Sequence, residues 1–386
     1  MGSRIIFHRE DCGLVLQTDM SCRCFRASVV EPKRRGIDAR PDFDVHTLGS
    51  IKYLSYNEIK LATNHFHPSN KIGRGGFGTV YKGILKDGKQ VAVKRLSTES
   101  KQGAREFLNE IKTMSDVRHP NLVELIGCCS EGINRILVYE FVENNNLDRV
   151  LLDSNHKAIK LDWQRRSNIC MGTARGLKYL HEEVEPRIVH RDIKASNVLL
   201  DQDYNPKIGD FGLAKFFPDT ITHISTRIAG TTGYLAPEYA LGGQLTLKAD
   251  VYSFGVLIIE IISGRRSSKA DCGEEEKFLL EWAWQLYKEG KLLQLVDPEL
   301  EEYPEEEVIR FLKVAFFCTQ STASRRPLMS QVLDMLSRNI RLNEDQITAP
   351  GFFRESGGPS SNKRSSTDSS YQMSSVPETI THVTPR

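Results

Sequence analysis

Near Asn144 the chain changes its pattern of apolar residues, and this change restricts the architecture sharply. Upstream, "NKIGRGGFGTVYKGIL" and "KQVAVKRL" are β-branched runs joined by Lys86-Asp87-Gly88, residues suited to a tight turn, and they predict a hairpin. "REFLNEIKTMSDV" spaces Phe107, Leu108, Ile111 and Met114 along one helical face, and "NLVELIGCCS" and "RILVYEFV" return to strand character. Downstream, "LDWQRRSNICMGTARGLKYLHEE", "LKADVYSFGVLIIEIISG", "FLLEWAWQLYKEG" and "EEVIRFLKVAFFCTQ" are long helical patterns. The predicted fold is α+β in two lobes. A small antiparallel β-sheet lobe with one main helix spans residues 60–143, and a larger, mainly α-helical lobe spans 144–340.

The flanks read differently. "SYNEIKLATNHF" begins with Ser55 and Glu58 as a capping-box pair before Ile59 and Leu61, which predicts a short helix. Residues 1–50 lack sustained periodicity and read as a flexible arm carrying Cys12, Cys22, Cys24 and the basic Lys33, Arg34 and Arg35. Ile6 stands where an N-myristoylation signal needs Ser or Thr, so "MGSRII" fails that motif. Palmitoylation of the arm's cysteines beside basic residues and a plain tail both stay open, while a zinc site from His8, Cys12, Cys22 and Cys24 matches no familiar spacing. Residues 341–386 are expected to be a disordered Ser-rich tail, because its few aliphatics bury too little surface to offset chain entropy.

Composition narrows the class of partner. A net charge of +2 gives no basic field for nucleic acid, so none is expected. The 8 cysteines lack the dense framework of a small secreted domain, which points to reduced thiols and a cytoplasmic chain. The most apolar run, Val251–Ser263, is interrupted by Glu260 and falls short of the roughly 20 residues that span a bilayer.

"IVHRDIKASNVLL" raises the question of chemistry. Arg191, Asp192, Lys194 and Asn197 lie among apolar residues, and each costs desolvation unless it finds a partner. "GRGGFGTV" supplies Gly73, Gly75 and Gly78 ahead of Val80; because "TVYKGIL" continues as strand, the glycines belong to a hairpin whose amides can lie over phosphates, and neither a dinucleotide turn nor a Walker loop fits. Lys94 in "VAVK" reads by itself as an edge-strand surface lysine. Glu110, on the inner edge of the predicted helix, needs a cation, and Lys94 is the candidate. Asp192, Asn197 and Asp210 of "IGDFGLA" offer two carboxylates and an amide that can converge on a phosphate chain and Mg²⁺, which takes oxygen ligands and keeps several waters.

The ordered series "GRGGFGTV", "VAVK", "NEI", "HRDIKASN", "DFG", "APE" and "DVYSFG" resembles the eukaryotic protein kinases over residues 72–330. The resemblance implies a kinase domain over 51–340 that transfers the γ-phosphate of ATP with Mg²⁺ to protein hydroxyls. It assigns catalysis to Asp192 and Lys194 and metal binding to Asn197 and Asp210. It gives ATP binding to Lys94, paired with Glu110, and to Ile72, Gly73, Gly75, Gly78, Val80, Ala92, Leu199, Tyr139, Glu140 and Val142. Tyr139 would precede a hinge at Glu140–Val142. Lys194 and Thr231 resemble serine/threonine rather than tyrosine kinases. Arg191 before Asp192 implies activation-loop phosphorylation, with Thr226 first, Ser225 second and Thr231 rather a partner of Asp192 and Lys194. Glu238 is expected to pair with Arg326, and Asp250 to anchor the catalytic loop. "HISTRIAGTTGYLAPEYALGGQLTLKADVYSFGV" and "CTQSTASRRPLM" are similar to plant receptor-like cytoplasmic kinases. That likeness implies protein substrates, an upstream membrane receptor kinase and peripheral membrane association through the N-terminal Cys/basic arm. A pseudokinase scaffold on the same fold is the rival reading.

Overall fold

A computed structural model describes residues 51–75, 78–97, 101–153, 160–267, 278–337 and 340–352. The N-terminal arm with Cys12, Cys22 and Cys24, the tip of the glycine hairpin and the chain beyond 352 lie outside the described residues.

The small lobe begins with β1 (Lys52–Tyr53) and α1 (Tyr56–Ala62), followed by β2 (Lys71–Gly75), β3 (Gly78–Ile84), β4 (Gln90–Leu96), α2 (Lys101–Met114), β5 (Leu125–Cys129) and β6 (Ile136–Glu140). The strands form one sheet in the order β1-β5-β6-β4-β3-β2, with β1 parallel to β5 and the other pairs antiparallel. Ser55 caps α1 as its sequence predicts, its Oγ accepting the Glu58 N–H at 3.2 Å. Ile59 of α1 is buried with Leu54, Val91, Val93 and Val138, so this helix seals one face of the sheet. At the hairpin between β3 and β4, Gly88 adopts φ 85°, and the Lys89 N–H donates to Asp87 Oδ1 at 3.0 Å. β4 lies between β3 and β6, so Lys94 is not an edge residue; its side chain is only 13% exposed.

The large lobe contains α3 (Trp163–Lys178), β7 (Arg187–Val189), β8 (Val198–Leu200), β9 (Pro206–Ile208), β10 (Lys215–Phe217), β11 (Ile224–Ser225), α4 (Pro237–Gly242), β12 (Gln244–Leu245), α5 (Leu247–Ser263), α6 (Leu279–Lys288), α7 (Glu305–Cys318) and α8 (Met329–Leu336). Short antiparallel pairs β7–β10, β8–β9 and β11–β12 fold the loops between helices. α5 is apolar around most of its circumference and is accordingly buried from Ala249 to Ser263. Gly255 permits its crossing with α7, since a Cβ there would lie 2.7 Å from Cys318 Cβ and 2.9 Å from the Ala315 carbonyl. Among the described residues no helix is long and apolar enough to cross a membrane. Cys128, Cys129, Cys170 and Cys318 are free and buried, and burial pushes the Cys128 and Cys129 thiols up to about 11.

The C-terminal boundary differs from the sequence expectation. Residues 340–352 form a strap along the large lobe rather than the start of a tail. Lys313 Nζ meets Glu344 Oε1 at 2.6 Å, Thr348 Oγ1 donates to Gln320 Oε1 at 2.9 Å, and Gly351 N donates to Thr319 O at 3.1 Å. Leu342 and Ile347 pack on the main core, which gives this stretch its apolar anchorage.

Candidate active site

The glycine-rich turn doubles back as a hairpin, with Gly73 opposite Val80 and Gly75 opposite Gly78. A Cβ on Gly75 would meet nothing within 4 Å, so the backbone there is open to a ligand. Ile72, on β2, is 39% exposed beside it. On neighbouring strands Val80 faces Lys94 and Ala92 faces Tyr139 in register, and Leu199 stands half-buried on β8. At the β6 exit, Glu140 N donates to Glu124 O at 3.0 Å, the Glu140 carboxylate accepts Lys207 Nζ at 3.0 Å, and Val142 packs against the main core.

Lys94 is the electrostatic centre. Its ammonium donates to Glu110 Oε1 at 2.6 Å and to Asp210 Oδ1 at 2.8 Å, joining β4, α2 and the Asp-Phe-Gly turn. Burial alone would lower the Lys94 pKa, but Asp210 and Glu110 outweigh it and hold the ammonium above the ordinary lysine range. Asp210 resists its own burial through Lys94 and titrates below the ordinary carboxylate range. Glu110 is fully buried, and burial pushes its carboxyl up against the pull of Lys94; its Oε2 accepts the Tyr139 hydroxyl. Asp210 sits at φ 61°, an uncommon conformation for a residue with a side chain. Asn109 holds the turn after it, its Nδ2 donating to the carbonyls of Phe211 at 3.2 Å, Gly212 at 3.0 Å and Ala214 at 2.8 Å.

The polar cluster of "HRDIKASN" finds its partners within the lobe. Asp192 Oδ2 accepts Lys194 Nζ at 2.8 Å and Asn197 Nδ2 at 3.0 Å, and Oδ1 accepts the Thr231 hydroxyl at 2.7 Å. Lys194 Nζ also donates to Thr231 Oγ1 at 2.7 Å, which closes a triangle. Beneath the loop, Asp250 accepts His190 N at 2.7 Å and Arg191 N at 2.8 Å, with His181 Nε2 2.9 Å away. Burial opposes ionisation of Asp250, but the His181 contact and the surrounding donors hold its carboxyl below the ordinary range. The expected anchor therefore has this geometry, as does the Glu238–Arg326 pair, whose two nitrogen-oxygen contacts are each 2.7 Å.

The donor chemistry suits a hard cation. Asn197 commits its amide nitrogen to Asp192, which turns its oxygen to the other side, and Asp210 keeps 32% of its side chain exposed while Lys94 takes one oxygen. Two oxygen donors with room for water match the needs of Mg²⁺.

Around the activation segment, Arg191 donates to the carbonyls of Leu213 at 2.9 Å and Arg227 at 3.0 Å and to the Tyr239 hydroxyl. Lys215 Nζ donates to Thr226 Oγ1 at 2.8 Å, and Ser225 is exposed. Burial, helped by Arg191, lowers the Lys215 pKa. Sequence reasoning missed Asn109, His181, Lys215 and the buried Tyr234–Glu260 contact. Asn109 left one signal, an amide beside Glu110 in a helix interior where it contributes little to helix stability.

Comparison with known proteins agrees with this geometry. The family model "Protein kinase domain" matches residues 66–336. Cold-responsive protein kinase 1 of Arabidopsis thaliana is 52% identical over 317 residues, 81% of either chain. Two probable LRR receptor-like serine/threonine-protein kinases of the same plant are 52% identical over 302 residues and 55% identical over 290 residues, covering 78% and 75% of this chain. Those matches take in only 29% and 28% of the two receptor-like proteins. The chain belongs to the protein kinase family and is an ATP-dependent protein serine/threonine kinase.

Proposed function

We propose that Asp192 accepts the proton of a Ser or Thr hydroxyl while Lys194 neutralises the phosphoryl group in transit. The observation that carries this reading is the occupancy of the Asp192 carboxylate. A carboxylate offers about four acceptor sites. Among the described residues, Lys194, Asn197 and Thr231 fill three, and the last is left for an acceptor hydroxyl. Lys94 binds the α- and β-phosphates, and Glu110 keeps its ammonium directed into the cleft. Gly73, Gly75 and Gly78 cover the phosphates with backbone amides. Ile72, Val80, Ala92 and Leu199 enclose the adenine, with Tyr139 and the backbone of Glu140 and Val142 at its edge. Asn197 and Asp210 hold Mg²⁺, which when bound neutralises phosphate charge. Catalysis of this kind is mainly positioning and charge stabilisation.

Thr226 is the proposed regulatory phosphosite, with Ser225 second. A phosphate on Thr226 would meet Lys215 directly, and the charge of Arg191 already reaches that lysine. Thr231, tied to both Asp192 and Lys194, is a structural partner. The kinase acts on protein substrates in the cytoplasm, downstream of a receptor kinase at the membrane, and the Cys/basic arm supplies peripheral attachment. The names of the receptor-like relatives support the signalling context.

Transfer of labelled γ-phosphate from Mg-ATP to a generic acceptor protein tests the reading. Wild type labels Ser or Thr, and Asp192→Asn loses about 10²–10⁴-fold while still binding ATP. Equal labelling by the two proteins would remove Asp192 from its role.

A further inference from the structure

β2 is the edge strand of the small-lobe sheet and, among the described residues, pairs only with β3. It carries Ile72, Gly73 and Gly75, so its placement decides where those residues lie over the cleft. The chain enters β2 from the turn that follows α1. In that turn Asn64, His65 and Phe66 stand at φ 48°, 59° and 55°, three successive residues with side chains in the left-handed region. Such a stretch persists only where its surroundings over-determine it. Thr63, fully buried, supplies much of that constraint. Its Oγ1 accepts the Phe66 N–H at 3.2 Å, and its carbonyl accepts Asn70 Nδ2 at 3.0 Å and the His67 N–H at 3.3 Å. The His65 N–H reaches back to the Lys60 carbonyl at 2.7 Å.

The turn delivers the Phe66 ring to the back of the sheet. Side chains alternate across a strand, so the pair Val80 and Lys94 faces the cleft, while the next pair, Tyr81 and Val93, faces away from it toward Ile59. On this outer face the Phe66 ring meets Tyr81 edge-on with centroids 5.4 Å apart, stacks on Tyr56 at 5.9 Å and lies under the Arg95 guanidinium at 5.1 Å. Two of these contacts bear on the hairpin. Tyr81 of β3 is paired with Lys71, the first residue of β2. Arg95 is paired with Thr79, and its carbonyl lies so near Gly78 that a Cβ there would stand 2.2 Å away.

We propose that Phe66 is a positioning residue for nucleotide binding: seated by the left-handed turn, it braces the glycine hairpin from behind and sets where Ile72 and the glycine amides meet ATP. This rests on the reading of that hairpin as the cover of the phosphates. Phe66 lies on the face away from the cleft and acts through Tyr81 and Arg95.

The test uses the full chain, steady-state kinetics in ATP and binding of a fluorescent ATP analogue, at a temperature where urea curves show the variants folded. Phe66→Ala raises KM for ATP about tenfold and weakens analogue binding equally, with kcat and KM for the acceptor protein unchanged, the signature of lost ground-state binding. Phe66→Tyr restores both. Where Phe66→Ala does not fold, Arg95→Met, which keeps an apolar stem and removes the charge over the ring, reads a shift of about threefold, as a cation–π contact implies. Ile59→Ala removes packing from the same cluster and leaves KM for ATP as in wild type. An unchanged KM in Phe66→Ala, or in Arg95→Met where it stands in, overturns the proposal. So does an equal rise in Ile59→Ala, which would make the effect a general loosening of the sheet. Gly75→Val separates the two readings, because a Cβ at Gly75 meets nothing within 4 Å and the variant disturbs a ligand alone. If Gly75→Val binds ATP as wild type does, the hairpin does not cover the phosphates and the proposal falls with that reading. A rise in Gly75→Val with none in Phe66→Ala removes only the proposal.

Discussion

Tyr139 shows how one hydroxyl is committed to the ion-pair centre. It stands on β6, opposite Ala92, and donates to the carboxylate oxygen of Glu110 that Lys94 does not take. Tyr139→Phe would leave that oxygen buried without its donor, a loss of about 1–3 kcal/mol. Urea unfolding should report this as a lower midpoint with an unchanged slope. The Lys94–Glu110 pair was legible in the sequence because a carboxylate on the inner edge of an apolar helical face needs a cation, and "VAVK" supplied one. The edge-strand reading of Lys94 failed because a strand's place in its sheet depends on pairing with β6, a distant segment. Asn109 was not legible in role, since its three carbonyl partners lie across a gap of more than a hundred residues in the chain.

Among the elements, α1 contributes more than its length suggests. Its Ile59 is fully buried in a cluster distinct from the main core, against Leu54, Val91, Val93 and Val138. Ile59→Ala should cost about 2–4 kcal/mol, read as a drop in thermal midpoint, whereas Leu61→Ala on the same helix, 63% exposed, should change little. The helix itself was readable from Ser55 and Glu58, whose capping geometry is local. The strap was not. Leu342 and Ile347 are isolated apolar residues without a period, and what orders them is the surface of α7 and the segment after it, which no local pattern reveals.

At the scale of the whole molecule, the division into lobes followed from a change of apolar period, because burial on a sheet and burial around a helix impose different repeats. How the lobes are joined did not, since Lys94 and Asp210 are 116 positions apart. Global stability also carries a pH signature from α5. Glu260 is buried against the Tyr234 hydroxyl and the Ser267 N–H, with the charge of Asp148 nearby, and burial pushes its pKa from 4.5 to about 7. The folded chain then holds a proton that the unfolded chain releases, so this contribution is complete below pH 4.5 and is lost as pH rises to about 7. The loss is about 3 kcal/mol. Urea titrations from pH 4.5 to 8 should show that decline in wild type and its absence in Glu260→Gln. The triangle of Asp192, Lys194 and Thr231 bears on a different matter, the leakage of nucleotide in an idle enzyme. On the proposed reading of Asp192, a phosphoryl donor held beside its carboxylate is wasted whenever water takes the place of the protein hydroxyl. Among the described residues Lys194, Asn197 and Thr231 take three positions on Asp192, so on that reading water has a single point of entry, which a docked substrate closes.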